Sequence, residues 1–126
     1  MDELANIFKA LGDETRLKLV ALLLRHGELC VCDLEHVIGA SQSKTSRHLR
    51  YLLHAGLVTD RREGVWSYYK LAGESDDRIK LLRSTLKRLL TPELTQQLET
   101  GFVSWCCAPG SNCSPAAAKS LAQAAK

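Results

Sequence analysis

The sequence predicts a mainly helical domain with one small β-hairpin. Apolar residues recur at spacings of three and four along most of the 126-residue chain, which is the period of an α-helix. Glycines stand at the ends of these stretches and mark helix ends. Two stretches between residues 57 and 71 are strand-like instead, and Glu63-Gly64 between them suits a hairpin turn.

Two helices are predicted before residue 27. The first has an apolar stripe, which consists of Leu4, Ile7, Phe8 and Leu11. Gly12 ends it, and Asp13 can cap the second helix, over residues 15–26. The second helix is apolar on almost every side, so we expect it at the centre of the domain. Gly27 ends it.

The middle of the chain predicts a helix-turn-helix. A short helix over residues 32–38 leads into a tight turn at Gly39-Ala40, and Ser41 caps a following helix over residues 42–55. A short helix, a tight turn and a second helix with a basic outer face are typical of this motif. The hairpin that follows is then a wing, so the predicted fold is a winged helix-turn-helix.

The C-terminal third contains one further long helix, over residues 76–90. Its apolar stripe consists of Ile79, Leu82, Leu86 and Leu89. Pro92 breaks or restarts the helix, and residues 93–99 could continue separately. From Gly101 onward the chain is expected to be irregular, with a weak helix or disorder over residues 116–126. We therefore predict a DNA-binding and dimerisation domain over residues 1–100 and a cysteine-containing tail over 101–126.

The two terminal helices of the first domain predict a homodimer. Each has a full apolar stripe, and the winged-helix body is small. A two-fold dimer would bury the stripes and match a two-fold operator in double-stranded DNA. The predicted interface residues are Leu4, Ile7, Phe8, Leu11, Ile79, Leu82, Leu86 and Leu89. The alternative is that both stripes pack on their own body.

Composition favours a soluble cytoplasmic protein with an anionic partner. No apolar run approaches the roughly 18 residues of a membrane span, so no membrane is expected. The acidic N-terminus argues against a signal peptide. Residues 41–70 contain six basic and two acidic side chains, whereas residues 1–40 contain four and seven. The positive segment coincides with the helix-turn-helix and wing, as DNA phosphate neutralisation requires.

The five cysteines form two groups that suit a soft metal better than a disulfide framework. Cys30 and Cys32 precede the helix-turn-helix, whereas Cys106, Cys107 and Cys113 lie in the tail. Thiolates select soft ions such as Cu(I), Zn or arsenic-like metalloids. An odd number of cysteines also fits metal or redox use better than a secreted scaffold. The structural alternative is a small buried hydrophobe, above all for the upstream pair.

Four stretches of this sequence resemble the ArsR/SmtB family of metal-responsive winged-helix repressors. They are residues 8–17 (FKALGDETRL), 28–34 (ELCVCDL), 41–49 (SQSKTSRHL) and the wing through 68–71 (YYKL). The resemblance covers about residues 4–90. It implies a cytosolic homodimeric repressor, not an enzyme, that leaves its operator when an inducer binds. The Cys-Val-Cys-Asp-Leu stretch is similar to the arsenite-responsive branch in particular.

The DNA-contacting residues are predicted from the outward face of the second helix and from family positions. Gln42, Ser43 and Arg47 are expected to contact bases, because Gln pairs with adenine edges and Arg with guanine edges. Contacts to the DNA backbone, or support for it, are expected from Lys44, Ser46, His48 and Arg50. In the wing, Arg61 and Arg62 are expected to meet phosphate or the minor groove.

The resemblance implies trivalent arsenic as inducer, and trivalent antimony by similar chemistry. Family members have a third cysteine in the short helix, where this chain has Glu35 and His36. Since trivalent arsenic favours three sulfurs, Cys30 and Cys32 form an incomplete, secondary site. A Cys-Cys-x5-Cys arrangement occurs in other arsenite-responsive members, so the primary site is expected at Cys106, Cys107 and Cys113.

Other interpretations remain open at this stage. The upstream and tail cysteines could share one mixed site. A thiol-redox or persulfide sensor, or a Cd, Pb or Zn sensor, would share the DNA-binding half. A thiol enzyme such as an arsenate reductase would need an anion-cradling loop, and the sequence has no Gly-rich phosphate loop.

Overall fold

The structure, a computed structural model, describes residues 1–73 and 76–124. Residues 125–126 of the predicted C-terminal helix lie outside the described residues. Within them the chain forms helices and strands in the following order. They are α1 (Asp2–Leu11), α2 (Glu14–His26), β1 (Glu28–Cys30), α3 (Val31–Ile38), α4 (Gln42–His54), β2 (Val58–Glu63), β3 (Trp66–Leu71), α5 (Asp77–Leu89), α6 (Pro92–Cys107) and α7 (Pro115–Ala124).

The core is built around α2, as its apolar sequence predicts. Leu19 and Leu23 of α2 are buried together with Leu34 of α3 and Leu49 and Leu52 of α4. These three helices therefore share one hydrophobic cluster, which fixes the helix-turn-helix on the central helix. No helix among the described residues is long and apolar enough to cross a membrane.

Local signals place the helix-turn-helix where the sequence predicts it. The Asp13 carboxylate accepts a hydrogen bond from the Arg16 amide at 3.0 Å at the start of α2. Ser41 Oγ accepts from the Lys44 amide at 3.2 Å at the start of α4. Gly39 adopts a φ of 71° after α3, a left-handed conformation that favours glycine. The winged helix-turn-helix prediction is confirmed.

The sheet contains a strand that sequence reasoning missed. β1 pairs antiparallel with β3, so the strand order is β1-β3-β2. A three-residue strand is too short to produce a periodic signal. As a consequence α3 begins at Val31, one residue before the predicted start. The hairpin loop is Gly64-Val65 rather than Glu63-Gly64, because Glu63 pairs with Trp66.

The expectation of an irregular chain after Gly101 is wrong. α6 continues through Gly101 to Cys107, and the predicted domain boundary between residues 100 and 101 lies inside this helix. A Cβ placed at Gly101 would touch the Val37 side chain at 3.5 Å, so α6 passes close to α3. Phe102 is fully buried. Burial of this face outweighs the low helix propensity of glycine.

The tail also makes polar contacts with the end of α2. The His26 ring stacks on Phe102 with 3.7 Å between centroids. Its Nε2 lies 2.9 Å from Glu99 Oε1, and its Nδ1 lies 2.7 Å from Ser120 Oγ. Burial lowers the pKa of His26, and the Glu99 carboxylate opposes part of that effect. One residue of α2 thus contacts both tail helices.

The apolar stripes of the terminal helices divide between the core and the surface. The members buried in the protomer's own core are Ile7, Leu11, Ile79 and Leu86. Leu82 is partly buried against the core. By contrast, Leu4, Phe8 and Leu89 are exposed. Half of the predicted interface residues therefore stabilise the single protomer.

Candidate functional site

The exposed face of α4 presents polar and basic side chains. They are Gln42, Ser43, Lys44, Arg47 and Arg50. Thr45, Leu49 and Leu52 on the opposite face are buried. The amphipathic division is that of a helix which packs on one side and meets solvent or DNA on the other.

Two predicted DNA contacts, Ser46 and His48, are only half exposed. His48 Nδ1 lies 3.3 Å from the Arg16 guanidinium. Arg16 also donates to the Ala10 carbonyl at 2.7 Å and stacks 4.1 Å above the Tyr51 ring. His48 is therefore placed to support α4 through Arg16. Arg16 was missed because no sequence spacing links it to α4.

The two wing arginines differ in their surroundings. Arg61 donates to both Glu28 oxygens at 2.9 and 2.7 Å and to Glu63 at 2.8 Å. These hydrogen bonds raise its pKa, and the guanidinium also lies over the Tyr68 ring. Arg62 is exposed and forms no ion pair within the described ranges. In this conformation Arg62 is the wing cation better placed for phosphate.

The upstream cysteines form a pair at the start of α3. Cys30 is buried and Cys32 is half-buried. The hydrogen bond with the Cys32 thiol lowers the pKa of Cys30 to about 6, and the same hydrogen bond raises the pKa of Cys32. The hydrogen bond therefore favours the thiolate form of Cys30 over that of Cys32.

Two of the three tail cysteines form a second pair, and the third lies outside it. Cys106 and Cys113 are half-buried and their side chains are hydrogen-bonded, whereas Cys107 is exposed. Burial and the Cys113 hydrogen bond raise the pKa of Cys106 to about 12. Within residues 1–73 and 76–124, no three Cys, His, Asp or Glu side chains form a group that could hold a metal ion. The chain therefore offers two dithiol pairs rather than a finished three-sulfur site.

Asp33 lies between the two thiol pairs and is fully buried. Its carboxylate accepts hydrogen bonds from the Cys30 amide at 2.9 Å and from Trp105 Nε1 at 2.9 Å. The amide and hydroxyl of Ser114 donate at 3.0 and 2.5 Å. No local sequence pattern indicates this role, because the tail partners of Asp33 lie 72 and 81 residues away along the chain.

A winged helix-turn-helix with an exposed basic helix defines a class of DNA-binding regulator. The sequence profile described as "Bacterial regulatory protein, arsR family" matches residues 13–60. Arsenic resistance transcriptional regulator ArsR1 of Pseudomonas putida is 41% identical over 99 residues, which cover 75% of this chain and 77% of that protein. The chain belongs to the ArsR family of transcriptional regulators, which are not enzymes.

Further relatives differ in the metal that their names state. The arsenical resistance operon repressor of Escherichia coli K12 is 53% identical over 66 residues, or 52% of this chain and 56% of that protein. A cadmium resistance regulatory protein CadC homolog of Staphylococcus aureus is 42% identical over 80 residues, or 64% of each chain. Both relatives are metal or metalloid resistance regulators, but of different elements.

A solved structure from Mycobacterium bovis has the same fold. It is described as a homodimeric winged helix-turn-helix DNA-binding domain of a possible ArsR-family regulator. Its TM-score is 0.62 at 32% identity, and the alignment covers 75% of this chain and 84% of that one. This likeness confirms the fold class and provides a homodimeric neighbour.

Proposed function

We propose that this protein is a homodimeric cytoplasmic repressor of an arsenic-resistance operon. It leaves its operator when trivalent arsenic, or trivalent antimony, binds cysteine thiolates. Relatives named as arsenic-resistance regulators support the choice of operon. The observation that carries the proposal is the position of the tail: Trp105 and Ser114, the neighbours of Cys106 and Cys113, are hydrogen-bonded to Asp33 at the start of the helix-turn-helix.

The inducer is expected to bind chiefly at Cys106, Cys107 and Cys113. Two of these sulfurs are already paired, and the third is in the next residue along the last turn of α6. Three-sulfur coordination therefore requires a local rearrangement of that turn. Cys30 and Cys32 form the secondary site, because two thiols alone do not supply the three sulfurs that trivalent arsenic favours. Thiolate donors suit a soft metalloid.

Operator binding is assigned to α4 and the wing of two protomers. The contacts expected on α4 are Gln42, Ser43, Lys44, Arg47 and Arg50, with support from Ser46 and His48. Two-fold pairing through α1 and α5 would cover Leu4, Phe8 and Leu89, which are exposed in the single protomer. Sedimentation of wild type and of a Phe8→Glu variant tests this pairing, since a charge at a buried dimer contact should yield monomers.

The decisive test is operator binding, followed by fluorescence anisotropy while arsenite is added under reducing conditions. The three proteins are wild type, a tail variant with Cys106, Cys107 and Cys113 changed to Ser, and an upstream variant with Cys30 and Cys32 changed to Ser. We expect arsenite to release wild type and the upstream variant but not the tail variant. If arsenite releases the tail variant from the operator but does not release the upstream variant, the sensor is the upstream pair.

The two hydrogen-bonded thiol pairs favour a second candidate function, that of a thiol-redox sensor. Each thiol pair could form a disulfide: peroxide takes two electrons from the two sulfurs, and the two thiol protons leave in water. Release of the operator by peroxide without arsenite, reversed by a thiol reductant, would support this alternative. A cadmium-responsive relative also makes Cd(II) a necessary comparison in the same titration.

A further inference from the structure

The partners of the Asp33 carboxylate are unusual for a buried acid. All four hydrogen bonds come from neutral donors, and no basic side chain of the described residues forms a salt bridge with it. Burying a carboxylate is costly unless its oxygens are hydrogen-bonded. The loss of any one donor to Asp33 should therefore cost more free energy than the loss of an apolar contact in the same place.

Every donor to Asp33 belongs to a cysteine or to the residue next to one. Cys30 donates through its own amide. Trp105 directly precedes Cys106, and Ser114 directly follows Cys113. A ligand that shifts the chain at either tail cysteine therefore acts directly on a residue that holds Asp33.

The same contacts reach the helix-turn-helix. Asp33 is in the first turn of α3, which packs against both α4 and α6. The Trp105 ring also stacks on His36 of α3, with 3.8 Å between centroids. The orientation of α3, and through it of α4, is thus set jointly by the core and by tail donors.

We propose that Asp33 is the positioning residue that couples thiol ligation to DNA release. With Trp105 and Ser114 in place, α3 is held in the orientation that binds the operator. Ligation of the tail thiols withdraws these donors, and α3 is then free to shift under α4. This inference rests on the arsenite-responsive function proposed above and names the contact that transmits it.

The test removes the donors and leaves the sulfurs unchanged. Trp105→Phe deletes the indole N–H but keeps an aromatic ring against His36, and Ser114→Ala deletes the hydroxyl but keeps the amide. Trp66→Phe and Ser104→Ala are matched controls, because neither Trp66 nor Ser104 is bonded to Asp33. Each protein is titrated with operator DNA, with and without arsenite, and arsenite binding is followed separately by the near-ultraviolet absorbance of sulfur–arsenic bonds.

We expect arsenite to weaken operator binding by wild type and by both controls by a factor in the usual allosteric range of about 5–150. In the Trp105→Phe/Ser114→Ala variant the factor should fall close to 1, while arsenite still binds. Its arsenite-free affinity for operator should already approach that of arsenite-loaded wild type. If the double variant does not fold, Ser114→Ala alone is expected to lower the factor by which arsenite weakens operator binding, but by less than the double variant would.

A spectroscopic measurement without DNA separates coupling from a structural role. In a Trp66→Phe background the emission comes from Trp105 alone, and arsenite should shift it as the bond to Asp33 breaks. Asp33→Asn in that background should give the shifted emission before arsenite is added. An unchanged release factor in the donor variants overturns the role of Asp33 and leaves the proposed function standing. Failure of arsenite to bind or release wild type overturns both.

Discussion

Replacing Phe102 by Ala tests whether the tail is part of the folded core. Phe102 is fully buried and stacks on the His26 ring at 3.7 Å. Its removal leaves a cavity between α2 and α6 and exposes one face of a buried imidazole. His26 contacts both Glu99 and Ser120, so the loss should loosen α6 and α7 together.

The magnitude follows from the burial. A fully buried Phe→Ala change costs about 3–5 kcal/mol, the sum of lost transfer free energy and a residual cavity. Since a domain of this kind is stable by about 5–15 kcal/mol, the variant should still fold. At roughly 3–6 °C per kcal/mol for a chain of this length, the melting temperature should fall by roughly 9–30 °C.

Urea unfolding followed by circular dichroism measures the change, at one fixed protomer concentration because a dimer's stability depends on it. Val65→Ala is the control, since Val65 is exposed at the wing tip and should change the free energy of unfolding by less than about 0.5 kcal/mol. A loss below about 1 kcal/mol for Phe102→Ala would refute the reasoning, because it would mean that α6 is not docked on α2 in solution.

Three further predictions concern pH and DNA. Burial lowers the pKa of His26 in the folded protein. As the pH falls, the unfolded chain therefore binds the proton first, near the ordinary pKa of about 6.5. The contribution of His26 to the free energy of unfolding should be full above that pH and should decline below it. His26→Gln should flatten this pH dependence in urea unfolding, whereas exposed His54→Gln should not. Arg47→Ala should weaken operator binding by about 1–3 kcal/mol and relax discrimination at one base pair, and unchanged anisotropy curves would exclude a base contact. Arg62→Ala should reduce the salt slope of binding by about 1, and Arg61→Ala by less, because its guanidinium already binds two carboxylates; equal slopes would contradict this ranking.

The recognition half of the protein could be predicted because its signals are local. Asp13 and Ser41 cap their helices through hydrogen bonds to residues three positions ahead, and the left-handed Gly39 ends α3. The exposed positions of α4 follow from its 3.6-residue period. For the same reason β1 was missed, since its only signal is a pairing with β3 forty residues later.

The arrangement of the cysteines could not be predicted, because it depends on contacts between distant segments. The cysteine spacing indicated a soft-ligand cluster, but only the tertiary structure put Cys106 and Cys113 beside the start of α3 through Trp105 and Ser114. The apolar stripe of α6 is interrupted by Gly101 and is short, so its helix forms by packing rather than by propensity. The sequence alone therefore determined the fold class and the DNA-facing helix, whose causes act within a few residues. Only the tertiary structure decided where the thiols and Asp33 meet, because burial and donor–acceptor pairing across more than 70 residues leave no periodic trace in the chain.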